Sequence, residues 1–391
     1  MEKIEARYRR RMTGLLILGG ILAVAFFWKM MVCAEENTEA DTLLQSYLKE
    51  LNLGEIDRSL TNLVPGRRFR FREVVQELVH GRIPLDPEEL KRLARDAVCS
   101  ELSRQRIVIV QILLLTVASA VFTNFIRIFR KEQISEISFY IIYLLLLALL
   151  MQAYQGLGEM AKETMGEMLH FMRILLPVYL TVAALAAGSV TAAGFYEATL
   201  IFITLVQTAL NYILLPGISG YLLLLLLDHF SQEEYFSRLA QLLKTVLLWI
   251  MKTLIALVIG VQTVQGLLLP AIDSLKNTVL HRSLGAIPML GNTLNAVTET
   301  VLGTAVLLKN AVGLAGVLVI LLICAVPILQ LLVCTFLYKL LGAAVQPVAE
   351  RRITECISGL GDGIELLLRV MAMSGMMFLI TLAMVTSSIR V

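Results

Sequence analysis

From Ile107 to the C-terminus the chain alternates long apolar runs with short polar segments. Residues 144–150 read LLLLALL, residues 222–227 are all leucine, and residues 317–328 read VLVILLICAVPI. A helix needs about 20 apolar residues to cross a hydrocarbon core, and the chain offers about seven such stretches. The expected spans are 107–126, 137–153, 174–193, 195–215, 242–268, 314–341 and 366–385. Unpaired backbone groups are too costly in lipid, so runs this long cross as helices. The fold class that follows is all-α: a polytopic helical membrane protein with a small helical region before the first span.

Breaks in the pattern refine this picture. Gly188, Ser189 and Gly194 interrupt the third and fourth spans, leaving a tight or partly re-entrant hairpin. Pro216 and Gly217 end or kink the fourth span. Residues 222–227 are too short to cross alone and read as an interfacial or buried continuation of it. Residues 287–311 are only moderately apolar and read as an in-plane or half-crossing helix.

The N-terminus has a different pattern. Lys3, Arg7, Arg9, Arg10 and Arg11 precede an apolar stretch over 12–28, and Val32-Cys33-Ala34 leads into Glu35-Glu36. This is the layout of a secretory signal over residues 1–34, cut after Ala34, or of a retained signal anchor; both place residue 35 outside the cytoplasm. Residues 35–106 form the extracytoplasmic helical region and 107–391 the polytopic region. Within the former, Asp86-Pro87-Glu88-Glu89 is a helix start, with Asp as cap, Pro in the first turn and acids on the positive end of the dipole. Arg67 to Arg72 alternates Arg with Phe, which suits anionic headgroups, an acidic partner or plain solvent.

Loop charge gives an orientation. Starting outside, the first span delivers Arg127, Arg130 and Lys131 to the cytoplasm, as the positive-inside rule requires. Glu159, Glu163 and Glu167, with Lys162 and Arg173, then form an outside loop. Lys276, Arg282 and Arg390 fall inside. Arg351 and Arg352 land outside and oppose the scheme.

Composition agrees with a membrane chain: 57% of residues are hydrophobic and 17% charged. A net charge of +3 gives no sign of nucleic-acid binding. The four histidines and five cysteines show no metal-ligand spacing and no CxxC, and of the cysteines only Cys99 and Cys356 face the exterior together. There is no phosphate loop and no nucleophile elbow, so neither an enzyme nor a cofactor is expected. Chemistry is left to polar residues inside apolar runs, which are expensive there and functional by default. Glu197, Lys309 and Asn310 are candidates to line a polar path; Gly313 and Gly316 let another helix approach. The alternative is snorkelling by Lys252 and interhelical hydrogen bonding by Gln207, Asn211, Gln262 and Gln265.

Three segments carry a family resemblance. Residues 285–291 read GAIPMLG, with Pro288 and Gly291; residues 298–303 read TETVLG, with Glu299; residues 308–316 read LKNAVGLAG. In this order and spacing the chain resembles the stage III sporulation protein AE family. The resemblance implies a membrane subunit of the channel complex between mother cell and forespore, needed for endospore formation. It would lie in the mother-cell membrane surrounding the forespore. Its implied partners are the other membrane proteins of the same operon and a forespore-side channel protein. The resemblance supplies no catalytic residues. Two rivals from the residues alone are a self-contained secondary transporter and a non-conducting scaffold.

Overall fold

The computed structural model describes residues 54, 56–57, 70–82, 87–128, 132–187, 191–230, 235–284 and 291–388. Pro288 and the signal cleavage site at Ala34 lie outside them. The described residues are helical with no strand. In chain order the elements are α1 (Phe71–Val79), α2 (Pro87–Ile128), α3 (Glu132–Ala187), α4 (Thr191–Ala209), a π-helical turn (Leu210–Leu214), α5 (Leu215–Asp228), α6 (Ser237–Leu284), α7 (Gly291–Val345) and α8 (Arg351–Ser388).

Among the described residues, six helical stretches are long and apolar enough to cross a membrane: Pro87–Phe122, Phe139–Ala183, Glu197–Asp228, Ser237–Gly266, Gly303–Val345 and Arg351–Thr386. The number is one below the sequence expectation because the second and third expected spans are a single helix. α3 has 56 residues, which at 1.5 Å each is about 84 Å. Its middle was expected to be a loop because it is rich in charge. It remains helical because the charges occupy only one face. On the other face Leu157, Ala161, Met165, Met168 and Met172 recur at helical spacing and are buried in the core.

Two further segments join longer helices. Residues 222–227 continue the fourth span through the π turn into α5, where Pro216 sits in the first turn and leaves no donor unmade. Gly291 to Ala311 is the N-terminal part of α7 and runs unbroken into the sixth span.

α7 and α8 form the central antiparallel hairpin, and α3 packs along both. The register is written in cross-contacts. Gly313 faces Thr386, Gly375 faces Cys324, and Gly342 faces Ser358. α2 runs parallel to α7 and antiparallel to α3. α6 runs parallel to α8, joined to it by Gln262 Nε2 donating to Thr381 Oγ1 at 2.9 Å. α1 lays Phe71, Val74, Val75 and Leu78 into the core and packs on α7. Its first turn is capped by Asp57, whose Oδ1 accepts the Phe71 N–H at 2.6 Å.

The α2–α3, α5–α6 and α7–α8 turns share one end of the bundle. There the Arg352 guanidinium lies 4.5 Å from the Phe139 ring centroid. His229 Nε2 is 3.3 Å from Glu355 Oε2. The Tyr143 hydroxyl donates to the Leu226 carbonyl at 2.5 Å. With α3 unbroken, Arg351 and Arg352 therefore fall on the same side as Arg127, whereas Lys276 and Arg282, expected on that side, lie toward the other end of α6, opposite it.

The α7–α8 register has a direct test. A Cβ on residue 375 would stand 3.6 Å from Cys324 Cβ and 3.4 Å from its Sγ, within the reach of a disulfide. Mild oxidation of Gly375→Cys is expected to link the peptides holding residues 324 and 375, read by mass spectrometry of a non-reduced digest. Linkage to Cys334 or Cys356 instead would contradict the register.

Candidate functional site

The polar residues of the membrane helices gather at three heights. At one end, α7 comes closest to its neighbours. A Cβ on Gly313 would collide with Thr386 Cγ2 and lie 3.4 Å from Tyr179 Cε2, and one on Gly316 would lie 2.5 Å from Leu175 Cδ2. Only glycine permits this approach of α7 to α8 and α3 together. The Tyr179 hydroxyl donates to the Val385 carbonyl at 3.4 Å. Just beyond, Lys309 is 3% exposed. Asn310 is half-buried, and its Oδ1 has no hydrogen-bond partner among the described residues.

The second is an amide seam between α4, α6 and α8, which starts level with Gly316 and runs toward the π turn. Thr199 donates to Gln265 Oε1 at 3.2 Å, and Ser374 donates to Gln207 Oε1 at 3.2 Å. Gln207 Nε2 and, in the π turn, Asn211 Oδ1 are buried without partners. A π turn widens the helix and redirects its side chains, and such turns recur at functional sites.

The third height is an ionic layer that crosses the bundle. Lys339 Nζ on α7 lies 2.5 Å from Glu365 Oε2 and 3.0 Å from Asp362 Oδ1 on α8. Arg369 Nη2 holds the other oxygen of Glu365 at 2.6 Å, and Lys244 Nζ on α6 stands 3.9 Å from Asp362 Oδ2. A Cβ on Gly361 would come 2.8 Å from Lys339 Cγ, so glycine opens the path along which the lysine stem crosses α8. Farther along the layer, Glu101 on α2 is 1% exposed. Its Oε1 accepts from Gln105 Nε2 at 2.8 Å and from the Cys334 thiol at 3.0 Å, and its Oε2 lies 2.5 Å from Arg104 Nη2. The Tyr338 hydroxyl donates to Gln105 Oε1 at 2.9 Å. Charges at this depth are tolerable because each acid meets a cation or several donors.

The sequence candidates do not converge. Glu197 is exposed near the start of α4, and no ion pair joins it to Lys309 among the described residues. Gly291 opens α7, and Glu299 lies in its early turns. Glu101, Gln105, Cys334, Tyr338, Lys339, Asp362 and Glu365 were not singled out. Their signal was a pair of matched spacings, 101 with 105 and 334 with 338, which place two polar side chains on one face of each helix. Among the described residues no group of three His, Cys, Asp or Glu side chains stands where it could hold a metal ion. Cys99 is exposed and Cys356 buried, and both are free.

A family model for stage III sporulation protein AE matches residues 69–388, the stretch that contains every element from α1 to α8. The chain belongs to the stage III sporulation protein AE family. It is 24% identical over 315 residues to the stage III sporulation protein AE of Bacillus subtilis (strain 168), covering 80% of this chain and 79% of that protein. No solved structure matches. The family assigns the chain a role in sporulation, and the apolar helices make it a membrane protein.

The ionic layer has a stability signature. Lys339→Met leaves Glu365 and Asp362 short of a charged donor, worth about 1.5–3 kcal/mol. Lower resistance to heat or denaturant in detergent is therefore expected. Adding Asp362→Asn to that variant is expected to recover part of the loss, because Asp362 is then left facing Lys244 at 3.9 Å, whereas Glu365 keeps Arg369. Equal stability of wild type and Lys339→Met would show that the layer contributes nothing.

Proposed function

We propose that the protein is the multi-span membrane subunit of the channel complex joining mother cell and forespore. In this reading it lies in the mother-cell membrane around the forespore, beside the other membrane proteins of its operon and the forespore-side channel protein. The observation that carries the proposal is the family match over the whole helical bundle. The bundle's surface supports it. Trp249 is 66% exposed, Ile201 68% and Phe336 67%, so outside their buried core the helices present apolar faces to lipid or to neighbouring chains.

The cytoplasmic side in this proposal is the end where α2 finishes and α8 begins, which carries Arg351 and Arg352. Lys276 and Arg282 then lie at the far end of α6, beyond its apolar part.

One observation favours a second reading. Gln207 Nε2 and Asn211 Oδ1 lack partners beside a π turn, which would suit a substrate site in a self-contained transporter. The two readings separate in sporulating cells. A tagged copy of a channel subunit is expected at the engulfing membrane and is expected to bring down other membrane proteins of its operon. Uniform distribution, no co-purifying membrane protein and solute flux by the purified protein in vesicles would overturn the channel reading.

A further inference from the structure

The middle of α3 turns a polar stripe outward. Gln152, Glu159, Lys162, Glu163, His170 and Arg173 are exposed and fall on one helical face, separated by one or two turns or adjacent. Alongside them α2 exposes Arg92, Arg95, Asp96 and Arg104. Cross-contacts fix the height of this face. Its upper end is level with Gly316, where an added Cβ would meet Leu175 and lie 3.4 Å from Leu382 Cδ1. Leu382 adjoins Thr381, the partner of Gln262 on α6. Its lower end is level with the ionic layer. Arg104 reaches Met160 Sδ at 3.9 Å, and Glu101 and Gln105 bind Cys334 and Tyr338. Lys339, next to Tyr338, shares Asp362 with Lys244 of α6.

The polar stretch of α3 from Met160 to Leu175 thus occupies the same layer as α6 from Lys244 to Gln262. That part of α6 is outward and, apart from the exposed Lys252, whose long stem can snorkel, mainly apolar: Trp249 is 66% exposed, Leu257 43% and Ile259 45%. At the boundary between the two kinds of surface, Arg173 shares an open groove of about 500 Å³ with Leu200, Ile201 and Leu205.

No uniform surrounding suits this layer. Lipid on every side would bury the charges of α2 and α3 in hydrocarbon. Water on every side would expose a broad apolar face of α4 and α6. We propose that the bundle is two-sided in the membrane, with α4 and α6 facing lipid and the α2–α3 stripe lining a water-filled passage closed on its far side by other chains of the assembly. The inference rests on the channel reading and names the wall that this chain would contribute. The stripe mixes acids with bases, so it suits hydrated solutes of either charge rather than an ion of one sign.

The test is labelling by a charged, membrane-impermeant methanethiosulfonate reagent in unsealed membrane fragments from sporulating cells. The chain carries its own probe in Cys99, which is exposed on α2, and mass spectrometry identifies its peptide. In a Cys99→Ser background, Glu163→Cys and His170→Cys are compared with Leu205→Cys and Leu257→Cys at the same height. Cys99, Glu163→Cys and His170→Cys are expected to react about tenfold or more faster than the other two, because the reactive thiolate forms in water and not in hydrocarbon. Equal fast labelling of both sets would put the whole layer in water and overturn the proposal. Equal slow labelling would show the stripe sealed by protein or lipid and overturn it as well. The same preparations are tested for co-purifying membrane proteins. If those are present while labelling fails, only the passage wall falls; if they are absent, the channel reading itself falls.

Discussion

Continuity of the α3 backbone is the constraint from which the other features follow. A chain that reversed in the middle of α3 would leave main-chain donors and acceptors to be satisfied elsewhere, which is costly next to lipid. Staying helical satisfies them internally and still buries Leu157, Ala161, Met165 and Met168. The continuous helix gathers three turns at one end of the bundle and sets the heights at which α2, α7 and α8 meet it. It also carries a charged face through a layer that is apolar on the opposite side.

Glycine contacts and the ionic layer both require the α7–α8 register. Gly313 and Gly316 draw the three helices together at one height. Lys339, Asp362, Glu365 and Arg369 hold them at another. Close packing supplies dispersion contact where lipid provides no hydrophobic driving force between helices. The longer, more exposed pair of Lys244 with Asp362 adds little stability by itself. A slip of one turn in α8 would separate both Lys339 from Glu365 and Gly375 from Cys324, so the two sets of contacts specify the same alignment.

Much of the architecture is legible in the sequence because apolar run length reports directly on membrane crossing. The all-helical class and the continuation of residues 222–227 from the fourth span can be read there; Pro216, read as an end or kink of that span, stands just past a π turn in a helix that runs on. The unity of α3 was hidden by averaging over both of its faces. Glu159, Lys162 and Glu163 look like a loop in a hydropathy window, although the 157, 161, 165, 168, 172 spacing of buried positions was already present. The site was less legible. Glu101 and Cys334 are 233 residues apart, and a single sequence carries no signal that joins them. Lys309 and Asn310 stood out because they interrupt an apolar run; Lys339 and Glu365 did not, because each sits where a run was thought to end.

The chain belongs to a sporulation family, and its bundle has two unlike outer faces in one layer. The physical claim beneath both is that α3 is one rod. Spin labels at exposed positions 152 and 173, with their separation read by pulsed electron spin resonance, test it most directly. An unbroken helix predicts a separation of about 30 Å from its 1.5 Å rise per residue. A chain that turned back between two adjacent spans would bring the labels to about 10 Å, the usual distance between packed helices, and would contradict the account.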